Sequence, residues 1–142
     1  MIGAHERRRP RKPPSGLPKL TEAQIQRQCV DFMALDGWRP LKTDPCSDKA
    51  RGKGFGEIGM ADHLFIRYEI SPENARRAGW AQVLWVEFKR PGGIVSEHQM
   101  LWHVAERKAG AFTACAILDF EPTFDGFIAW YRKSGLLRRV GL

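Results

Sequence analysis

The sequence predicts a mixed α/β sheet flanked by helices, in the order α-β-β-β-α-β-α. Three observations lead there. Two stretches, from Thr21 and from Ser96, open with a capping residue, place glutamine three positions on, and continue with apolar residues at helical spacing. Four apolar runs too short for helices occupy 38–43, 59–66, 83–89 and 112–118. Three of those runs come in succession, and a helix then carries the chain to the fourth, as a crossover requires.

The first helix begins after Thr21, whose hydroxyl and Gln24 form a capping box. Ile25, Cys29, Phe32 and Met33 follow at i, i+4, i+7 and i+8, one apolar stripe, and Gly37 ends it. Glu22 lies in the first turn, where the helix dipole favours an acid, and Gln26 follows on the same face. Residues 38–43 make the first strand; Pro40 interrupts it and puts it at an edge. Residues 44–57 form a loop with basic residues and three glycines close together. No Gly-Lys-Ser/Thr follows and no helix starts there, so it is not a nucleotide-binding loop. Arg51 and Lys53 are instead placed to touch a nucleic-acid backbone or to sit on a mobile surface loop.

The second strand, from Gly59, carries Asp62 at its start; residues 71–79 then form a short helical turn. Val83–Lys89 follows, with five apolar or aromatic residues of seven, and reads as a central strand covered on both faces. Glu87 and Lys89, two apart, share one side with Phe88 turned away between them. Charges at the end of a buried strand are costly unless paired, metal-bound or open to a cleft. A strand-end ion pair facing solvent explains them too. Two neighbouring strands that each offer a carboxylate near one sheet edge, Asp62 and Glu87, make a hard-oxygen site suited to magnesium or manganese.

After the turn Pro91-Gly92-Gly93, the helix from Ser96 has Gln99 at its N3 position and a buried stripe of Leu101, Val104 and Ala105, with Trp102 beside it. His98 and His103, five apart, do not share a face and read as surface or half-buried histidines. Residues 112–118 form a buried strand. Glu121-Pro122 opens a last helix with Phe124, Phe127, Ile128 and Tyr131 along one side. The closing GLLRRVGL offers apolar residues either to a second copy or to its own domain.

A chain of 142 residues fits one domain with a core of its own, and 43% hydrophobic content argues against disorder. No apolar run reaches the ~18 residues of a membrane span, and MIGAHERRRPRK lacks the apolar segment of a secretory signal, so a cytoplasmic protein is expected. Cys29, Cys46 and Cys115 are too scattered for a disulfide framework or a zinc site. The net charge of +7 is unevenly spread: Arg7, Arg8, Arg9, Arg11, Lys12 and Lys19 face Glu6 alone within residues 1–19, leaving +2 for the remainder. Residues 1–19 therefore read as a flexible basic arm, either neutralising phosphates without regard to sequence or serving as a solvated leader, ahead of a folded domain at 20–142.

Gly59-x-x-Asp62, Glu87-x-Lys89, Gly92-Gly93 and Ser96-x-x-Gln99, in that order over residues 20–118, resemble the VRR-NUC nucleases, one branch of the PD-(D/E)XK nuclease superfamily. The resemblance implies a restriction-endonuclease-like core and Mg2+- or Mn2+-dependent hydrolysis of DNA. It implies that Asp62, Glu87 and the Phe88 backbone carbonyl ligate the ion, that Lys89 acts on the attacking water or the phosphate, that Glu22 completes the site and that Gln99 faces it. It further implies a homodimer acting on branched or structured DNA in a bacterial or phage-infected cell; Arg90, next after Lys89, is counted with the basic residues expected to contact DNA. The family's proline before the aspartate is replaced by Ala61. A DNA-binding module that keeps the fold without catalysis is the alternative.

Overall fold

A computed structural model of the chain describes residues 16, 19–43, 56–68, 81–139 and 141–142. In chain order these form α1 (Glu22–Leu35), β1 (Arg39–Lys42), β2 (His63–Tyr68), β3 (Ala81–Glu87), α2 (Glu97–Lys108), β4 (Phe112–Cys115) and α3 (Phe124–Lys133). The four strands make one mixed sheet in the spatial order β1-β2-β3-β4. β1 and β3 each run antiparallel to β2, and β4 runs parallel to β3. The chain is thus α/β, with a four-stranded mixed sheet and three helices.

Both capping boxes are closed: Thr21 accepts from the Gln24 backbone, Ser96 from that of Gln99, and each glutamine reaches back to its cap's N–H. These satisfy N–H groups that the first helical turn leaves without partners. Ile25, Cys29, Phe32 and Met33 are the buried residues of α1. They meet Phe65, Leu84, Val86 and Phe88 from the sheet and Phe127, Ile128 and Tyr131 from α3 in one core. The last helix starts later than expected, capped by Thr123 and not by the Glu121-Pro122 pair.

Two further expectations fail. β3 is not covered on both faces. Leu84, Val86 and Phe88 are sealed on the side of α1 and α3, but on the other side Val83 is 44% exposed and Trp85 half-buried against Trp102, at 5.2 Å between ring centroids. The stripe expected to bury α2 points the other way: Leu101 is 58% and Val104 42% exposed, while Trp102 and His103 are buried. The cause is rotational. Gln99 and Arg107, two turns apart, bond Glu87 and Asp119 on the sheet side, which turns the Leu101 face outward. His103, 1% exposed between them, is neither a surface nor a half-buried residue. Its ring nitrogens have no hydrogen-bond partner among the described residues, and burial followed by the Arg107 charge drives its pKa to about 4, so it is neutral.

At the opposite end of the sheet Asp36 and Arg67, both buried, pair at 2.9 Å. Asp36 also accepts from the Tyr131 hydroxyl and from the backbone N–H groups of Arg138 and Arg139, and Trp38 Nε1 donates to Tyr131 at 2.7 Å. Arg67 adds a bond to the Leu136 carbonyl at 2.7 Å and lies over the Trp38 ring. This network fastens the C-terminal segment to the domain, and Leu136, Leu137 and Leu142 pack against its core. The terminal leucines therefore pack at least in part on their own domain.

Candidate active site

Asp62 stands one residue ahead of β2, because the strand ladder begins with the His63–Lys42 and His63–Val86 pairs. The segment before it is held firmly. Thr43 donates its hydroxyl to the Ala61 carbonyl and its N–H to the Asp62 carbonyl at 2.8 Å. Ala61 is fully buried. Gly59, at φ +81°, packs against the backbone of His98 so closely that a Cβ there meets the His98 carbonyl. Glu57 accepts from Trp102 Nε1 at 2.7 Å. The start of α2 and the approach to Asp62 are thus joined through backbone contact.

Glu87 ends β3 and is 1% exposed. Its Oε1 accepts from Lys89 Nζ at 2.9 Å and from Gln99 Nε2 at 2.6 Å; its Oε2 accepts from the Asp62 N–H at 3.1 Å. The alternation inferred for this stretch sets the geometry: Phe88 is wholly buried in the core, while Glu87 and Lys89 meet on the other side. The ladder to β4 ends where Ala116 donates to the Glu87 carbonyl at 2.9 Å, so the Phe88 carbonyl lies beyond it.

The electrostatics are those of too much negative charge in too little water. Burial, and then the Asp62 charge, raise the Glu87 carboxyl to about 7, against weaker support from Lys89 and the Asp62 N–H. Asp62 is also raised, first by burial and also by Glu22, with Lys89 and a hydrogen bond from the Phe88 backbone opposing. Burial alone lowers the Lys89 pKa, but the Glu87 bond and the charges of Glu87, Asp62 and Glu22 outweigh it and raise it. Lys89 is a fixed ammonium and no proton acceptor. Glu22, in the first turn of α1, takes part at a distance through its charge, and its own carboxylate accepts from Gln26 at 3.4 Å.

Glu22, Asp62, Glu87, Lys89 and Gln99, drawn from four separate elements or their flanks, therefore act on one another at one end of the sheet. Three carboxylates act with two ammonium groups, Lys89 beside them and Lys42 through its charge on Asp62, which leaves an excess of negative charge that a divalent cation would neutralise. The donor set is hard oxygen, which suits Mg2+ or Mn2+. Among the described residues no three of His, Cys, Asp or Glu are clustered tightly enough to hold an ion by themselves. The oxygen groups the described site brings near one another are the Asp62 and Glu87 carboxylates, linked through the Asp62 N–H.

Next to this cluster a cleft of about 410 Å3 is lined by Lys19, Thr21, Glu22, Arg90 and Pro91, among others. Arg90 is exposed and basic at its rim. Arg7, Arg8, Arg9, Arg11, Lys12, Arg51 and Lys53, and the turn expected over 71–79, lie outside the described residues. Sequence reasoning missed Lys42, whose charge bears on Asp62, and Lys19, which lines the cleft. Lys42 was findable, since an antiparallel pair of β1 and β2 sets it opposite the neighbour of Asp62. Cys115 faces Glu87 across the β3–β4 pair, and burial pushes its thiol up to about 12, so it is no nucleophile.

Against this geometry, comparison with known proteins adds no assignment: no family model, no curated protein and no solved structure matches the chain.

Proposed function

We propose that the chain is a divalent-metal-dependent endonuclease that hydrolyses DNA phosphodiester bonds, acting on branched or structured DNA, with the restriction-endonuclease-like core that its motifs suggest. The observation that carries the reading is the Asp62–Glu87–Lys89 cluster, in which buried carboxylates outnumber the ammonium beside them. Asp62, Glu87 and the Phe88 carbonyl hold Mg2+ or Mn2+ in this reading. When bound, such an ion polarises the scissile phosphate and lowers the pKa of a coordinated water.

The protein's own groups then have separate tasks. Lys89, kept protonated by Glu87, Asp62 and Glu22, sets a positive charge where negative charge builds on the phosphate oxygens. Gln99 holds Glu87 Oε1 and so fixes the plane of that carboxylate. Glu22 adds negative charge that strengthens cation binding and keeps Lys89 in place. Lys19 and Arg90, along the adjoining cleft, neutralise backbone phosphates of the substrate. The preference for branched DNA follows from the motif resemblance, and the motifs are also what favours DNA over other phosphodiesters.

The test is a panel of end-labelled four-way junction, flap, nicked and intact duplex DNA, incubated with and without Mg2+ or Mn2+. Metal-dependent cutting is expected, strongest on the branched members. Asp62→Asn and Lys89→Ala chains are expected to keep the wild-type circular dichroism spectrum and to lose cleavage by at least about 100-fold, the scale of a removed charge-stabilising group. Undiminished cutting by either variant refutes the site.

A further inference from the structure

The cleft beside the acidic centre does not stand alone. A second cavity, of about 210 Å3, adjoins it, and Lys19, Leu20 and Pro91 belong to the walls of both. The first is linked to the acids through Glu22, whose charge acts on Asp62 and Lys89. The second differs in character. Besides the shared wall it is lined by Ile25, Phe124 and Thr123. Ile25 is 1% exposed, and the half-buried Phe124 ring is braced edge-on by Phe32 at 6.2 Å. The Thr123 hydroxyl accepts the Gly126 N–H as the cap of α3, so Lys19 is the charge at this cavity's edge.

An apolar hollow with an aromatic wall thus opens directly onto a cleft carrying two exposed cations, Lys19 and Arg90. A neutral hydrophobe would leave the cations unused, and an acidic side chain would leave Ile25 and Phe124 unused. A nucleotide uses both, since its base is a flat ring system and its phosphate an anion. Size narrows the choice further. The cavity is smaller than the ~300 Å3 at which pockets for drug-sized ligands begin, so it suits one base and not a base pair. A base inside a duplex is stacked and paired, and has to leave the helix before it can enter such a pocket.

We propose that this cavity receives one unpaired base of the DNA, stacked against Phe124, while the attached phosphate lies on Lys19 and Arg90 beside the acidic centre. The proposal rests on the nuclease reading for the identity of the ligand. It gives the preference for branched DNA a source in the protein: a flap offers an unpaired base next to the branch, whereas a continuous duplex must first be opened. Stacking accepts the face of any base, so little sequence preference accompanies it.

The test is binding without cleavage. The full chain, in EDTA and at fixed salt, is titrated by fluorescence anisotropy with flap DNA in which one abasic nucleotide is moved stepwise through the unpaired strand. One position near the branch is expected to weaken binding about 5- to 100-fold when its base is removed. Phe124→Leu keeps an apolar side chain but no aromatic face, and is expected to lose a similar factor on the intact flap. It is expected to lose nothing more when the sensitive base is also absent, the non-additivity that contact requires. Exchanging that base among the four is expected to change affinity less than about 3-fold. Fully paired DNA is expected to bind both chains equally. Should Phe124→Leu not keep the wild-type circular dichroism spectrum, Leu20→Ala, at a 43% exposed position of the shared wall, takes its place in the cycle.

Losses that multiply at every position overturn the proposal, as does a strand with no sensitive position. Lower stability of the Phe124→Leu chain without coupling to any base means that residues ahead of Lys19 fill the cavity, and overturns it equally. Cleavage with Mg2+ is read separately. A chain that cuts without coupling loses the base pocket alone; one that couples but never cuts loses the nuclease reading alone.

Discussion

Glu87 offers a thermodynamic measure of the site that needs no substrate. Its carboxyl is 1% exposed and raised from 4.5 to about 7, chiefly by burial and then by the Asp62 charge. A carboxyl harder to ionise in the folded chain binds more protons folded than unfolded between those values. Stability is then fullest below about 4.5, declines as pH rises through the interval, and levels off above about 7. At ~1.4 kcal/mol per pH unit, the interval amounts to about 3 kcal/mol. This is an upper figure, because Asp62 is raised in the same sense and shares the effect. The perturbation is Glu87→Gln, which keeps an acceptor for Lys89 and Gln99 but cannot ionise. Urea denaturation of both chains with chelator present, at several pH values from 5 to 8, gives the two stability curves. The variant's stability relative to wild type is expected to rise with pH by about 2–3 kcal/mol. Added Mg2+ or Mn2+ is expected to stabilise the wild type more at pH 8 than at pH 5, and to leave the variant nearly unchanged. Parallel curves for the two chains would refute the argument that Glu87 is ionised against its surroundings.

Three other outcomes follow. Asp36→Ala strands the buried Arg67 and frees the Arg138 and Arg139 backbone, and is expected to destabilise by about 3–5 kcal/mol in thermal denaturation, whereas Asp36→Leu combined with Arg67→Met loses less. Gly59→Ala sets a Cβ against the His98 carbonyl at a positive φ that only glycine adopts freely, so it is expected to lower both stability and metal-dependent cleavage, read by melting temperature and rate together. Gln99→Ala removes one half of the α2 capping box and a donor to Glu87; it is expected to destabilise by about 1 kcal/mol and to move the acid limb of the cleavage pH profile upward, since the ionised Glu87 loses a partner.

How much of this could be read beforehand depended on how local the physics was. α1 was legible from Thr21 to Gly37 because its cap, stripe and stop are all short-range features. The meeting of Glu87 with Lys89, with Phe88 on the other side, follows from strand parity alone. α2 was misread because periodicity reports only where the aliphatic residues are, and here a buried acid 12 residues upstream claimed the opposite face through Gln99. The Asp36–Arg67 pair joins residues 31 apart and gathers further partners from Trp38, from Gln82 and from beyond residue 130. No window along the chain contains that information. Of the site, the acids and the lysine could be picked by type and spacing. The electrostatic reach of Lys42 and Glu22 depended on how β1 and α1 close against β2.

The side-chain amide of Gln99 has two ends with different employers: its oxygen takes the Ser96 N–H and its nitrogen serves Glu87. A helix terminus and an acidic centre are thereby anchored to a single planar group a few ångströms wide. The exposed Ile94 of the turn between Arg90 and Ser96 has no part in that linkage, so a change there leaves the acids undisturbed. A substitution at Ile94 is therefore expected to leave the Ser96–Gln99 step, and with it the hold on Glu87, in register.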